Sequence, residues 1–311
     1  MLVLMAAGLA WVWLAAIVSV GWMLTHPPRR TYAWAVSRSV AGDPGELVPA
    51  RTFESWTLAF EGMELPVWDV AGEVPNGPVV IVTPGWGDSR VGALSRLLAL
   101  AAWASRVVLW DSPGLGEAPG TCRLGLSESR ALARLVDEVA DHEAERLVLY
   151  GWSMGAGASI VVAASDSRIA GVIAESPYRE AKTPARNVLA ARGLPWRLTL
   201  MPALWVLWLA WTGRPPDRGF DRALHAKRVR CPLLVLHGER DVVAPLEDGH
   251  VIAEAAPNGR IVVVPGAGHN NLWTEHREAS AAAVGEFMSA VATRAGAARP
   301  ASDRAGHTLP S

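Results

Sequence analysis

The chain has 311 residues, half of them hydrophobic and 19% charged, with a formal net charge of −1. That length accommodates one large α/β domain with an insertion. The charge balance, without a Lys/Arg run, leaves no basis for an electrostatic nucleic-acid binder. Two distant cysteines, Cys122 and Cys231, make neither a CxxC metal framework nor a disulfide framework.

The chain opens on Leu2 to Leu24, 23 residues without a charge. As a helix at about 1.5 Å per residue this stretch spans roughly 34 Å, enough to cross a hydrocarbon core. A cleaved signal peptide is the competing reading. It fits less well, because no basic region precedes the run, the run is long, and no A-x-A-like site follows. Arg29, Arg30 and Arg38 put positive charge after the span and none before it, which orients the C-terminal domain to the cytoplasmic side. Residues 1–25 are thus expected to be a transmembrane anchor. Residues 26–50, containing Gly42-Asp43-Pro44-Gly45, read as a linker.

Residues 51–295 read as the globular domain. Arg51 to Phe60 and Met63 to Val70 form an expected antiparallel pair turned at Glu61-Gly62. Buried β-type runs follow at Val79–Val82, Arg106–Trp110, Arg146–Tyr150 and Ile169–Ala174, with helical spacing at about Arg90–Ala104, Leu126–His142 and Ala156–Ala164. Arg179 to Arg230 interrupts this alternation with mostly helical character and reads as a lid insertion. The alternation resumes with Leu233–Leu236, a helix near Pro245–Ala256, Ile261–Val264 and a last helix from about Leu272 to Val291. The Ala-, Arg-, Pro- and Ser-rich tail, 296–311, has the composition of disorder. An antiparallel start followed by β-α units predicts a mostly parallel, doubly wound sheet, with ligands at the carboxyl ends of its strands.

Chemistry gathers at those ends. Gly151-Trp152-Ser153-Met154-Gly155 matches G-x-S-x-G, in which a strained strand-to-helix turn projects a serine hydroxyl above the sheet. A serine needs a neighbouring base, and the base an orienting acid. Asp241 follows the strand Leu233–Leu236 and His269 follows Ile261–Val264, in the order Ser, Asp, His that this architecture requires. Alternative readings attach to each: Asp241 as a turn carboxylate, Glu239 as the acid, His269 as a structural loop histidine. His237 reads as a packed histidine, and Asp111 as a group that ties down its own Gly-Pro loop.

With Gly-Trp-Ser153-Met-Gly, Gly-Glu-Arg-Asp241-Val-Val-Ala-Pro, Gly-Ala-Gly-His269 and Asp111-Ser-Pro-Gly-Leu-Gly in order, the chain resembles the α/β-hydrolase superfamily from about Arg51 to Val291. It is most similar there to single-pass membrane members with a serine-aminopeptidase-like or prolyl-oligopeptidase-like domain. The resemblance implies an α/β-hydrolase fold without metal or organic cofactor. Ser153 is the implied nucleophile, His269 the base and Asp241 its orienting acid. The backbone N–H groups of Met154 and Trp86 are the implied oxyanion hole. Pro84 departs from the commoner histidine at its position, but the expected donor lies two residues later.

Leu198 to Trp211 inside the insertion is uncharged, carries three tryptophans and is too short, with Pro202 inside, for a second span. It reads as a lid wall for an acyl chain, as an interfacial segment, or as ordinary cap packing. The expected function is a membrane-anchored serine hydrolase acting on an ester, thioester or lipid-like acyl substrate. A peptidase or amidase on the same triad is the alternative, although no acidic pair in the insertion clearly awaits a peptide amine and Glu175 and Glu180 are the only nearby candidates. A non-catalytic membrane scaffold is the rival from another class. Oligomeric state is not encoded in any pattern of the sequence.

Overall fold

Val79–Thr83 is β-branched at every position, and it lies at the centre of the domain as a fully buried strand, β3. A computed structural model of the chain, describing residues 1–140, 146–215 and 221–297, places it within an eight-stranded sheet. The other strands are β1 (Phe53–Phe60), β2 (Met63–Ala71), β4 (Arg106–Trp110), β5 (Leu147–Trp152), β6 (Ile169–Glu175), β7 (Leu233–Gly238) and β8 (Gly259–Val264). Their order is β1-β2-β4-β3-β5-β6-β7-β8. β1 and β2 are antiparallel, β2 meets β4 antiparallel, and every later pairing is parallel. The expected mostly parallel, doubly wound sheet is therefore present.

Alternate residues of each central strand feed two different apolar layers. Val79 and Ile81, Leu147 and Leu149, and Leu233 and Val235 face a layer with Leu132 of α4 (Leu126–Val139), Ala156 of α5 (Met154–Ala163) and Ile252 of α9 (Leu246–Ala255). Val80 and Val82, Val148 and Tyr150, and Leu234 and Leu236 face Leu97 of α3 (Arg90–Ala101) and Val284 of α10 (Arg277–Ala297). Both faces of the sheet are thus covered, which is why these strands read as continuous apolar runs. The last helix starts five residues later than its spacing suggests. Asn271 accepts backbone bonds from Glu275 and His276, and Trp273 is buried as a turn residue rather than a helical one.

Between β6 and β7 the chain leaves the sheet and carries α6 (Lys182–Ala191), α7 (Leu200–Thr212) and α8 (Arg222–Ala226). The ends of this excursion are fastened together: Arg179 forms an ion pair with Asp221, and Arg222 N–H donates to Arg179 O at 3.0 Å. Residues 216–220, within the expected lid, lie outside the described residues, as does most of the expected disordered tail, from residue 298.

The N-terminal apolar run is helix α1 (Leu2–Thr25), with most of its length exposed and Val20, Gly21, Leu24 and Thr25 buried at its C-terminal end. It pairs with α7: Trp13 Nε1 donates to Leu198 O at 3.0 Å, and Gly21 lies against the Leu207 side chain. A third apolar cluster joins Val20 and Leu24 to Met154, Tyr178, Leu189 and Leu200, so one end of α1 packs onto the elbow helix and the excursion. Residues 26–50 are more ordered than a linker reading implies. They contain α2 (Tyr32–Val36), capped by Thr31, and a 3₁₀ turn at Pro44–Glu46 capped by Asp43. Ala35 is fully buried in the sheet's second layer. The Gly and Pro residues there punctuate a docked segment rather than a free one.

Candidate active site

β3 is flanked by β4 on one side and β5 on the other, so the chain reverses its direction of winding at the β3/β5 boundary. The crevice outside the carboxyl ends of two such strands is where doubly wound sheets bind ligands. Here Thr83 is in register with Gly151, which sets the turn Pro84-Gly85-Trp86-Gly87 beside the turn that carries Ser153.

Ser153 has φ 54° and ψ −114°, a left-handed conformation that side chains seldom adopt. The surroundings hold it there. Ser153 N–H donates to Glu175 O at 2.8 Å, and the glycines on either side leave room for close backbone approach. A Cβ on Gly155 would overlap the carbonyls of Thr83 and Pro84, and one on Gly151 would overlap the backbone of Gly155. The spacing in G-x-S-x-G thus expresses two backbone contacts that no side chain permits.

His269 and Asp241 arrive from the ends of β8 and β7. His269 Nε2 lies 3.0 Å from Ser153 Oγ, and His269 Nδ1 lies 2.7 Å from Asp241 Oδ2. Asp241 Oδ1 accepts from Val243 N at 2.9 Å and Ala244 N at 2.8 Å. Burial opposes ionisation of this carboxyl, but the hydrogen bond and charge of His269 together with the Ala244 N–H outweigh it and hold its pKa below the ordinary value. An ionised Asp241 fixes the proton of His269 on Nδ1 and leaves Nε2 free to accept from the serine. Residues 153, 241 and 269, read from sequence as one constellation, are brought within hydrogen-bond reach of one another.

The neighbouring candidates take other places. Glu239 accepts from Gly266 N at 2.9 Å, away from His269, and braces the β8 turn. His237 is fully buried, with Nε2 2.9 Å from Ala244 O and 3.5 Å from Asp241 Oδ2. Burial lowers its pKa, so the neutral ring steadies the acid's loop. Asp111 accepts from Arg90 N and Glu117 N at 2.8 and 2.9 Å and pairs with Arg90, tying its Gly-Pro loop to α3. The thiols of Cys122 and Cys231 are free, and burial pushes both pKa values up.

Among the described residues, the N–H groups of Trp86 and Met154 have no acceptor within the protein. Both belong to turns adjoining Ser153, Met154 as the first residue of α5. Unspent donors beside a serine hydroxyl are what an oxyanion formed there would require. The Trp86 side chain is engaged elsewhere, its Nε1 donating to Leu24 O at 2.8 Å.

Beneath the elbow lies a buried polar cluster without a sequence signal. Glu175 accepts both from Arg96 Nε at 2.8 Å and from Arg96 Nη2 at 2.6 Å, and also from Tyr150 OH and Trp273 Nε1. The Arg96 guanidinium stacks 4.1 Å from the centre of the Trp152 ring. Glu175 is therefore committed to the core and cannot await a peptide amine, and Glu180 is ion-paired with Lys182.

Ser153 and His269 open into a cavity of about 510 Å³, within the range of small-molecule sites. Ala185, Val188 and Leu189 of α6 line one side, and Met23 and Leu24 from the last turn of α1 line another. Arg30, Arg38 and Arg192 line it as well. Neither the α1 contribution nor the arginines could be found in any local pattern, because both depend on how the first 40 residues dock. α7 packs against α1 but leaves Met201, Trp205, Val206 and Leu209 exposed, with only Leu200 and Ala203 buried, and Leu198 just before it is exposed as well. It is not packed as ordinary cap core.

Residues 79–283 match the model of the alpha/beta hydrolase family. An uncharacterised protein of Mycobacterium tuberculosis is 29% identical over 199 residues, 63% of this chain, and the match spans 64% of that relative's length. An esterase of Pyrococcus furiosus superposes with a TM-score of 0.67 at 21% identity, over 86% of this chain and 97% of its own. A membrane phospholipase A superposes with a TM-score of 0.59 at 15% identity, over 94% of this chain and 97% of its own. Sheet order, strained elbow and family match agree, and the chain belongs to the alpha/beta hydrolase family.

Proposed function

We propose that this protein is a membrane-anchored serine hydrolase that cleaves a carboxylic ester or related lipid-like acyl substrate through an acyl-enzyme on Ser153. The observation that carries the reading is the continuous hydrogen-bonded line from Ser153 Oγ through His269 to Asp241, at 3.0 and 2.7 Å. Ser153 Oγ attacks the acyl carbon while His269 Nε2 takes its proton. The resulting oxyanion receives hydrogen bonds from the N–H groups of Met154 and Trp86. Its collapse breaks the bond to the alkoxide, which takes the proton back from His269. Water, deprotonated by His269, then attacks the acyl-serine and releases the acid.

A lipid-like substrate is favoured by three features: the apolar lid wall, the α1 residues in the cavity, and the exposed apolar face of α7. The likeness to a membrane phospholipase A, which extends over 94% of the chain, supports the same class. α1 is long and apolar enough to cross a membrane. Its last turn is bonded into the domain, since Cys122 N–H donates to Thr25 O at 3.0 Å, and this supports a retained anchor over a cleaved leader. α7, paired with α1, then lies at the bilayer surface. The arginines after the span orient the domain to the cytoplasmic side. A peptidase or amidase on the same triad is less favoured, since Glu175 is committed to Arg96 in the core.

The test is covalent labelling of the full-length protein with a fluorophosphonate probe. Labelling is expected in wild type and absent in Ser153→Ala; labelling that survives in the variant overturns the assignment. Acyl esters of graded chain length, run against aminoacyl amides, separate esterase from amidase. A reporter fused after Ser311 reads the orientation, and an extracytoplasmic signal overturns it.

A further inference from the structure

The cavity that holds Ser153 is apolar inside and basic at its mouth. Its apolar wall comes from Leu24, Ala185, Val188 and Leu189, and its basic side from Arg30 and Arg38, which follow α1, and Arg192, just past the end of α6. These arginines differ in how they are neutralised. Arg30 is ion-paired with Asp88 at 3.0 Å. Arg38 and Arg192 meet no carboxylate among the described residues. Arg38 Nη1 reaches only Ser37 Oγ at 3.3 Å, and Arg192 Nη1 faces Met23 Sδ at 3.8 Å. Arg38 is also held on the same indole as Arg30, with their guanidinium carbons 4.7 and 4.9 Å from the Trp34 ring centre. One ring therefore gathers two positive charges while a single carboxylate offsets them. Such an arrangement repels itself when empty and is relieved by an anion. A guanidinium presents planar paired donors that match the oxygens of a phosphate.

We propose that Arg38 and Arg192 form an anion subsite at the mouth of the Ser153 cavity, selecting acyl esters whose alcohol portion carries a phosphate. The inference rests on the serine-hydrolase reading and specifies the substrate class of that site. The acyl chain lies against the apolar side chains that α6 and the last turn of α1 turn to the cavity, Ala185, Val188, Leu189, Met23 and Leu24. The alcohol portion then faces the mouth, and its phosphate lies between arginines supplied by two separate elements. Arg38 and Arg192 are both exposed, and replacing Arg38 gives up its contact with the Trp34 ring.

The experiment uses full-length protein in neutral detergent and two esters of one short acyl chain, a monoacylglycerol and the corresponding monoacylglycerol phosphate. Both are kept below their critical micelle concentrations. The readout is the ratio of kcat/KM for the phosphate ester to that for the neutral ester. Arg38→Gln and Arg192→Gln are each expected to lower this ratio about tenfold, through KM, as loss of a charge-assisted contact implies. Turnover with an unchanged ratio in both variants overturns the subsite and leaves the hydrolase standing. Loss of wild-type turnover together with loss of Ser153 labelling overturns the hydrolase reading and the subsite with it. An arginine effect seen only on vesicles containing anionic lipid, and absent with the monomeric esters, assigns the arginines to the bilayer surface and likewise overturns the subsite.

Discussion

Trp86 Nε1 donates a hydrogen bond to Leu24 O at 2.8 Å, joining the turn after the central strand to the last turn of the apolar N-terminal helix. The same residue's backbone N–H is the proposed second oxyanion donor. Placement of that donor is thus tied to a helix far in sequence from the strand and turn that carry Ser153.

Trp86→Phe keeps a ring in the cavity but removes the donor, which costs on the order of 1 kcal/mol when the acceptor is left unpaired. Steady-state hydrolysis of a soluble ester by the full-length variant should show kcat reduced about fivefold, with fluorophosphonate labelling of Ser153 retained. Unchanged kinetics would mean that the helix and the loop act independently.

Asp241→Asn removes the charge that fixes His269 with its proton on Nδ1. An amide at this position favours the wrong tautomer, and kcat is expected to fall by on the order of 10⁴. The acid limb of stability should change too. The folded-state pKa of Asp241 lies below its ordinary value of 3.8, so its contribution is complete above that value and is lost as pH falls through the lower folded one. A melting profile between neutral pH and pH 3 should be flatter for the variant; parallel profiles would contradict the ionised assignment.

Gly155→Ala tests the elbow without touching a catalytic side chain. Its new methyl group would press on the carbonyls of Thr83 and Pro84 and drive the two turns of the site apart. Overpacking of this kind costs about 2 kcal/mol. Both Tm and labelling of Ser153 should drop together, whereas a stable variant with full labelling would show that the turns are not tightly apposed.

Arg96→Met isolates the buried carboxylate of Glu175 beneath the elbow, where both partners are almost wholly enclosed. Removing one member of such a pair costs about 3–5 kcal/mol. Adding Glu175→Gln should recover much of that loss, since no buried charge then remains. Denaturant unfolding of the single and double variants checks this, and equal destabilisation in both would refute the pairing.

Much of this architecture was legible because the central strands are covered on both faces. Val79–Val82 and Leu233–Leu236 are apolar at every position, a pattern that needs no partner to be recognised. The elbow was legible for a different reason. Gly151 and Gly155 are required by backbone contacts only a few residues away in the turn and in the adjacent strand end, so the requirement is written locally. The docking of residues 26–50 was not legible, because burial there arises only once the segment packs on the domain. Ala35 looks like any alanine until the sheet's second layer is placed over it.

By itself the sequence determined the order of strands and helices, the G-x-S-x-G turn, and the Asp and His at later strand ends. These follow from periodicity and from short-range steric demands. Tertiary structure alone decided that Glu175 is locked to Arg96, and that Met23 and Leu24 of α1, with Arg38 and Arg192, line one cavity. Each of those facts is a meeting of residues far apart in the chain. Such meetings are set by how the helices and the first 40 residues pack on the finished sheet, and they leave no periodic trace.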